Sequence, residues 1–238
     1  MHINKSKHYE YHSEGIAGYI KDIIYAANDG IITTFAVVAG VVGASLPIAT
    51  IIILGFANLL ADGFSMAVSN YLGSRSERAL IKTEERREED EILRKPKYET
   101  EEVKSILVER GYAREDAEAM TRLISKNEKF WVDFMMKYEL RLSRGNGSDI
   151  KASLLTLISF IAAGSLPIMP FIVLNFVLSD LLMISTIATG IALFSVGAMR
   201  TIITRRNWFW SGLEMLFVGG LAAVIAYFIG SLISGIIA

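Results

Sequence analysis

Apolar positions form long, nearly unbroken runs toward both ends of the chain, and in the middle they scatter at helical spacing among charges. Runs over about Ile20 to Ala44, Pro47 to Leu72, Ala152 to Phe171, Asn175 to Met199 and Trp208 to Ile237 reach the roughly 20 residues that a membrane-crossing α-helix needs. The pattern predicts an all-α polytopic membrane protein: five transmembrane helices with a helical cytosolic insert between spans 2 and 3. The expected division is a cytosolic tail over 1–19, transmembrane helices 1 and 2 over 20–72, the insert over 73–149, and helices 3 to 5 over 150–238. The two apolar hairpins turn at similar strings, "ASLPI" (44–48) and "GSLPI" (164–168), which hint at a parallel two-span repeat or at a shared turn preference.

Within the insert, Arg75 to Arg94 has almost no helix breaker and is closed by Pro96. Only Gly73 interrupts the stretch from Ala67 to Ser76, so this helix is expected to continue the second span. "YETEEVKSILVERGY" predicts a second helix with Thr100 as cap and Gly111 as stop. "REDAEAMTRLISKN" predicts a third, and "NEKFWVDFMMKYELRL" a fourth that ends near "RGNG".

Charge adds orientation. The 238 residues are 52% hydrophobic with a net charge of −1, a balance that hides strong segregation. Lys and Arg crowd the 73–148 segment and recur at Arg200, Arg205 and Arg206, whereas the hairpin links carry none. Basic loops stay on the cytoplasmic side, which puts the N-terminus and the insert in the cytosol and the C-terminus outside. The first span carries Asp29 and lacks a small-residue cleavage site, so it is not a signal peptide. With no recognisable targeting segment, the expected location is the plasma membrane of a prokaryote, in contact with membrane lipid and with no nucleic-acid partner.

Several chemistries are excluded. There is no cysteine, so there are no disulfides and no thiolate metal sites. The three histidines, His2, His8 and His12, all lie in the tail, and no Glu-x-x-His pair is present for a di-iron centre. No phosphate-cradling loop and no G-x-S-x-G motif occurs, which argues against an ATP-driven pump or a hydrolase. The chain is therefore not expected to be an enzyme or to hold a prosthetic group, and any transport would draw on an ion gradient.

Ionisable groups inside spans are costly and mark pathways or partners. Four are present: Asp29, Asp62, Asp180 and Glu214. Asp29 lies seventeen residues before the first hairpin turn at Leu46 and Asp62 sixteen after it, so the two carboxylates share one level of the membrane. Asn58, Asp62, Met66 and Asn70, spaced four apart, form one stripe down the second span. Oxygen ligands and a thioether on that stripe, with Asn28 and Asp29 opposite, suit a divalent cation of borderline softness. A carboxylate that holds either a proton or a metal ion would couple the two. Asp180, near a span end, and Glu214, within reach of Ser or Asn side chains, are read as structural.

In the insert, Glu88 and Glu91 are three apart, as are Glu99 and Glu102, while Met135 and Glu139 are four apart. From spacing alone the acids, interleaved with Arg86, Arg87, Arg94, Lys95 and Lys97, read more simply as a solvated face. Met135, beside Phe130, Trp131 and Phe134, reads more simply as the apolar side of an amphipathic helix.

Four segments change that balance. "NDGIITTFAVVAG" (28–40), "SMAVSNYLGSRSE" (65–77), "WVDFMMKYEL" (131–140) and "SLPIMPF" (165–171) together resemble the vacuolar iron transporter family, in that family's order and at its separations. The resemblance covers nearly the whole chain. It implies a homodimer of five-span protomers that exchanges Fe2+ for protons and exports it from the cytosol. It implies membrane ligands at Asp29 and Met66, and insert ligands at Glu88, Glu91, Glu99, Glu102, Met135 and Glu139. Where plant members carry a Glu this chain has Asn58, and where they carry a small residue it has Asp62, which places an acid one helical turn along the same face. Asp62 is accordingly expected as a further ligand or proton carrier, with Asn58 beside it on the path. The expected function is proton-coupled transport of Fe2+ and also Mn2+; the same ligands serve Co2+ and Zn2+. The alternative is a metal sensor in the membrane that recruits a partner without transport.

Overall fold

A computed structural model describes residues 16–143, 147–174 and 178–237. The three histidines, residues 144–146 of "RGNG" and the expected start of the fourth span at Asn175 lie outside the described residues. In chain order the helices are α1 (Ile20–Gly43), α2 (Ile48–Arg94), α3 (Pro96–Glu109), α4 (Arg114–Ile124), α5 (Glu128–Tyr138), α6 (Asp149–Gly164), α7 (Met169–Val173), α8 (Leu178–Met199), α9 (Thr201–Thr204) and α10 (Trp208–Ile237). No strand occurs among the described residues. The chain divides into two compact units, Met1–Tyr71 with Gly147–Ala238, and Leu72–Asn146.

In the first unit α1 is the central helix, packed on α6, α8 and α10. Lipid supplies no hydrophobic drive between helices, so close approach through small residues has to do the work. At the α1–α6 crossing, a Cβ on Gly30 would stand 2.5 Å from the Phe160 carbonyl oxygen, and one on Gly164 would stand 2.8 Å from the Gly30 oxygen. Neither backbone can yield without parting the helices. Gly30→Ala is therefore expected to destabilise the protein by about 1–3 kcal/mol, seen as a lower melting temperature of the detergent-purified protein.

Among the described residues, four helices are long and apolar enough to cross a membrane: α1, α2, α8 and α10. The expected third span does not run unbroken to Phe171. α6 stops at Gly164 after 16 residues, about 24 Å at 1.5 Å per residue. The break falls at "GSLPI": Pro167 has no N–H to continue the ladder, and its carbonyl instead accepts a 2.6 Å hydrogen bond from the Ser185 hydroxyl. The five-residue α7 follows, with a proline in its first turn. Among the described residues Glu214 pairs with Arg200, at 2.6 Å, rather than with a Ser or Asn side chain. Asp180 is exposed in the first turn of α8, where a helix N-terminus favours negative charge.

The second unit begins within α2, which runs without interruption to Arg94. α3 starts at Pro96 rather than near Thr100. Proline suits the first helical turn, because its missing N–H would be unpaired there anyway. The Thr100 hydroxyl consequently bonds back to the Pro96 carbonyl instead of capping. Gly111, at φ +96°, takes the left-handed conformation that stops the helix. Asn127 caps α5 by accepting from the Phe130 N–H at 3.1 Å. α5 ends at Tyr138, short of the expected "ELRL" extension. Arg141 is left-handed at φ 56°, and the Leu142 N–H turns back to the Met136 carbonyl. Ile81, Ile92, Val103, Leu107, Trp131 and Met135 form the heart of this unit's core.

Candidate metal sites

Two acids interrupt that core. On α2 the buried positions Ile81, Glu88 and Ile92 follow one helical face; on α3, Glu99, Val103 and Leu107 do the same. Glu88 is 3% exposed and Glu99 2%. A carboxylate in a core-facing position is tolerated only when protonated or paired with a cation. One oxygen of each, Oε1 of Glu88 and Oε2 of Glu99, is buried without a hydrogen-bond partner.

Glu139 completes the group. It follows the last residue of α5, Tyr138, whose ring packs at a tilt against Phe134, centroids 4.7 Å apart, and lies 4.2 Å from the Arg110 guanidinium at the end of α3. These contacts fix where α5 ends and so where Glu139 stands. Carboxylate oxygens of Glu88, Glu99 and Glu139 all lie within 4.8 Å of one another. Glu139 itself is exposed, which leaves the cluster open on one side.

The electrostatics follow from this crowding. Burial, then the charges of Glu139, Glu99, Glu91 and Glu102, push Glu88 up to about 8. Burial, then Glu102, Glu139 and Glu91, push Glu99 to about 7. Glu139 is also raised, by burial first and then by Glu102 and Glu91, with Arg87 opposing. Glu102 further accepts a hydrogen bond from Tyr98, whose own hydroxyl is raised chiefly by that bond. Glu91 is half-buried and paired with Arg87 at 3.3 Å. Met135 is fully buried in the apolar core, one turn before Glu139.

The first unit holds a separate cavity of about 410 Å³, lined by Asp22, Tyr25, Asp29, Met66, Ser69, Asn70 and Thr156. Asp29 and Met66 therefore meet at one hollow. The stripe on α2 divides: Met66 and Asn70 line the cavity, Asn58 is half-buried with its Nδ2 unpaired, and Asp62 is exposed. Asp22, Tyr25, Ser69 and Thr156 are lining residues that spacing had not singled out. Asp22 and Tyr25 stand seven and four residues before Asp29 on one helical face, so that signal was in the sequence. Thr156 comes from α6, and no spacing along α1 or α2 could have found it.

A helical membrane protein with a carboxylate–thioether hollow in its spans and a buried carboxylate cluster in its insert belongs to the class of membrane metal-handling proteins. More particularly, the chain belongs to the VIT family, whose model matches residues 20–231. It is 34% identical to a vacuolar iron transporter of Toxoplasma gondii over 95% of this chain and 78% of that protein. It is 32% identical to a vacuolar iron transporter of Centaurea cyanus over 93% and 90%, and 30% identical to vacuolar iron transporter 1 of Arabidopsis thaliana over 87% and 83%. This is an integral membrane protein of a transporter family, not an enzyme, and iron is the metal that the family implies as cargo. The relatives' names and organisms overturn the expected prokaryotic plasma membrane: they are vacuolar transporters of plants and parasites. Span length could not have made that distinction, because every bilayer asks for a similar run of apolar residues.

Proposed function

We propose that the protein exports Fe2+ from the cytosol in exchange for protons, and that the insert is a cytosolic domain that collects the metal. The observation that carries this reading is the cavity in which Asp29 and Met66 meet within the spans. A carboxylate supplies charge to a partly dehydrated cation, and a thioether adds preference for a transition metal over magnesium or calcium. A carboxylate that binds metal must first give up any proton it holds, which couples the two fluxes. Mn2+ competes for the same ligands.

In this reading the insert spans 73–149 and binds metal through Glu88, Glu99 and Glu139, with Glu91 and Glu102 adding charge and Met135 supplying sulfur. α6 and α7 together make the third of five crossings, between helices 1 and 2 (20–72) and the last two spans of 150–238. The protein is a homodimer: Asp62 is exposed between the equally exposed Leu60 and Phe64, and a charge facing lipid is costly. A second copy over this face would shelter Asp62 and let it join the path. The exposed apolar face of α10, which packs on α1 and α8 by its other side, is left for lipid.

Proteoliposomes test the reading. With an acidic lumen and Fe2+ kept reduced outside, uptake is expected to accompany proton efflux and to collapse when a protonophore removes the gradient. Iron uptake indifferent to the gradient would sink the exchange.

A further inference from the structure

Thr156 of α6 faces the cavity with a hydroxyl whose single hydrogen is already committed. It is 2% exposed, and its Oγ1 donates to the Ala152 carbonyl at 2.9 Å. A hydroxyl has one donor and two acceptor sites, so its second partner must donate to it. That partner is Asn70 of α2, whose amide stands 2.8 Å away. The atom of Asn70 facing Thr156 is therefore Nδ2, and the carbonyl oxygen Oδ1 occupies the other edge of the amide. The relay fixes the orientation of an amide that lines the cavity beside Met66 and Ser69.

Depth sharpens the point. Asn70 stands twenty-four residues after Leu46, and Asp22 stands twenty-four before it. Both line the same cavity, one carboxylate and one amide at a common level, a turn along α2 from Met66. Resting on the transport reading above, we infer that Asn70 is an oxygen ligand of the ion path and that Thr156 is its positioning residue. Together with the Asp22 carboxylate, the Asn70 carbonyl makes an all-oxygen station for a divalent cation, distinct from the mixed oxygen and sulfur ligation at Asp29 and Met66. Outer groups that orient a ligand typically change affinity ten- to hundredfold when lost.

The test is Fe2+ uptake by the full-length protein in proteoliposomes, with KM and maximal rate measured separately. Asn70→Leu is expected to raise the KM about tenfold with little loss of maximal rate. Thr156→Val, which keeps shape and removes the hydroxyl, is expected to raise KM about fivefold, and Thr156→Ser to restore it. Because Thr156 acts through Asn70, the double variant should be no worse than Asn70→Leu alone. An unchanged KM in Asn70→Leu, or effects that multiply in the double variant, would overturn the inference. If Asn70→Leu does not fold, equal KM values for Thr156→Val and Thr156→Ser overturn it, and a rise in the Val variant alone supports it. Wild-type protein that moves no Fe2+ overturns the transport reading itself, whereas wild-type uptake with an indifferent Asn70→Leu overturns only this assignment.

Discussion

Glu88→Gln combined with Glu99→Gln is expected to abolish the stabilisation that Mn2+ or Fe2+ gives the purified protein, and to make the metal-free protein more stable at pH 8 than the wild type. Both effects come from the same raised carboxyl groups. Glu88 is pushed to about 8 and Glu99 to about 7 from an ordinary 4.5. Between pH 4.5 and 8 the folded, metal-free insert therefore holds more protons than the unfolded chain does. Stability then falls as pH rises through this window, because the unfolded state binds fewer protons. A cation reverses the sign by taking the protons' place. Its apparent affinity should climb roughly tenfold or more per pH unit between about pH 5.5 and pH 7, where binding must displace protons. Metal at a hundred times its dissociation constant stabilises by about 2.7 kcal/mol, so the metal-induced rise in melting temperature should be large at pH 8 and nearly absent at pH 5.5. Glutamine keeps the volume and the hydrogen-bonding capacity while removing the charge. A melting shift that ignores pH, or one that survives in the double variant, would remove these acids from the metal-binding role.

How far the sequence foretold this cluster depends on which residue is considered. The long apolar helices α1, α2, α8 and α10, the unbroken run of α2 to Arg94 and the stops at Pro96 and Gly111 were legible, because apolar runs, propensity and breakers act locally. The burial of Glu88 was legible in principle. Ile81, Glu88 and Ile92 share a helical face, so an acid stands where the core pattern asks for an apolar residue. Charge density hid it, since Arg86 and Arg87 next door read as a solvated surface. The approach of Glu139 to Glu88 and Glu99 could not be read from spacing; only the family resemblance grouped the three. It depends on where α5 ends, which goes with the Arg110 guanidinium over the Tyr138 ring, a contact between the end of α3 and α5, and with the left-handed turn at Arg141. The failure at the third span has a local origin: "GSLPI" contains its own break, but an apolar run does not say whether a proline turns the chain or only kinks it.

Asp29→Asn is expected to reduce gradient-driven Fe2+ uptake at least about a hundredfold, the upper range seen when even outer groups of a metal site are lost, without changing the melting temperature. Asparagine nearly matches aspartate in shape and can still hydrogen-bond, so packing beside Gly30 and Phe160 is kept. What it cannot do is carry a negative charge or exchange a proton for a cation. Desolvating a divalent ion within a span demands compensating charge, and among the described residues lining the cavity only Asp22 would then remain to supply it. Met66→Leu separates the two roles of the site. It keeps the carboxylate and the apolar volume and removes only sulfur, so uptake should persist while the preference for Fe2+ over Mg2+ narrows. If Asp29→Asn transports at the wild-type rate, the ion does not pass through this hollow. If Met66→Leu leaves selectivity untouched, the thioether only packs, and oxygen ligands alone make the choice of metal.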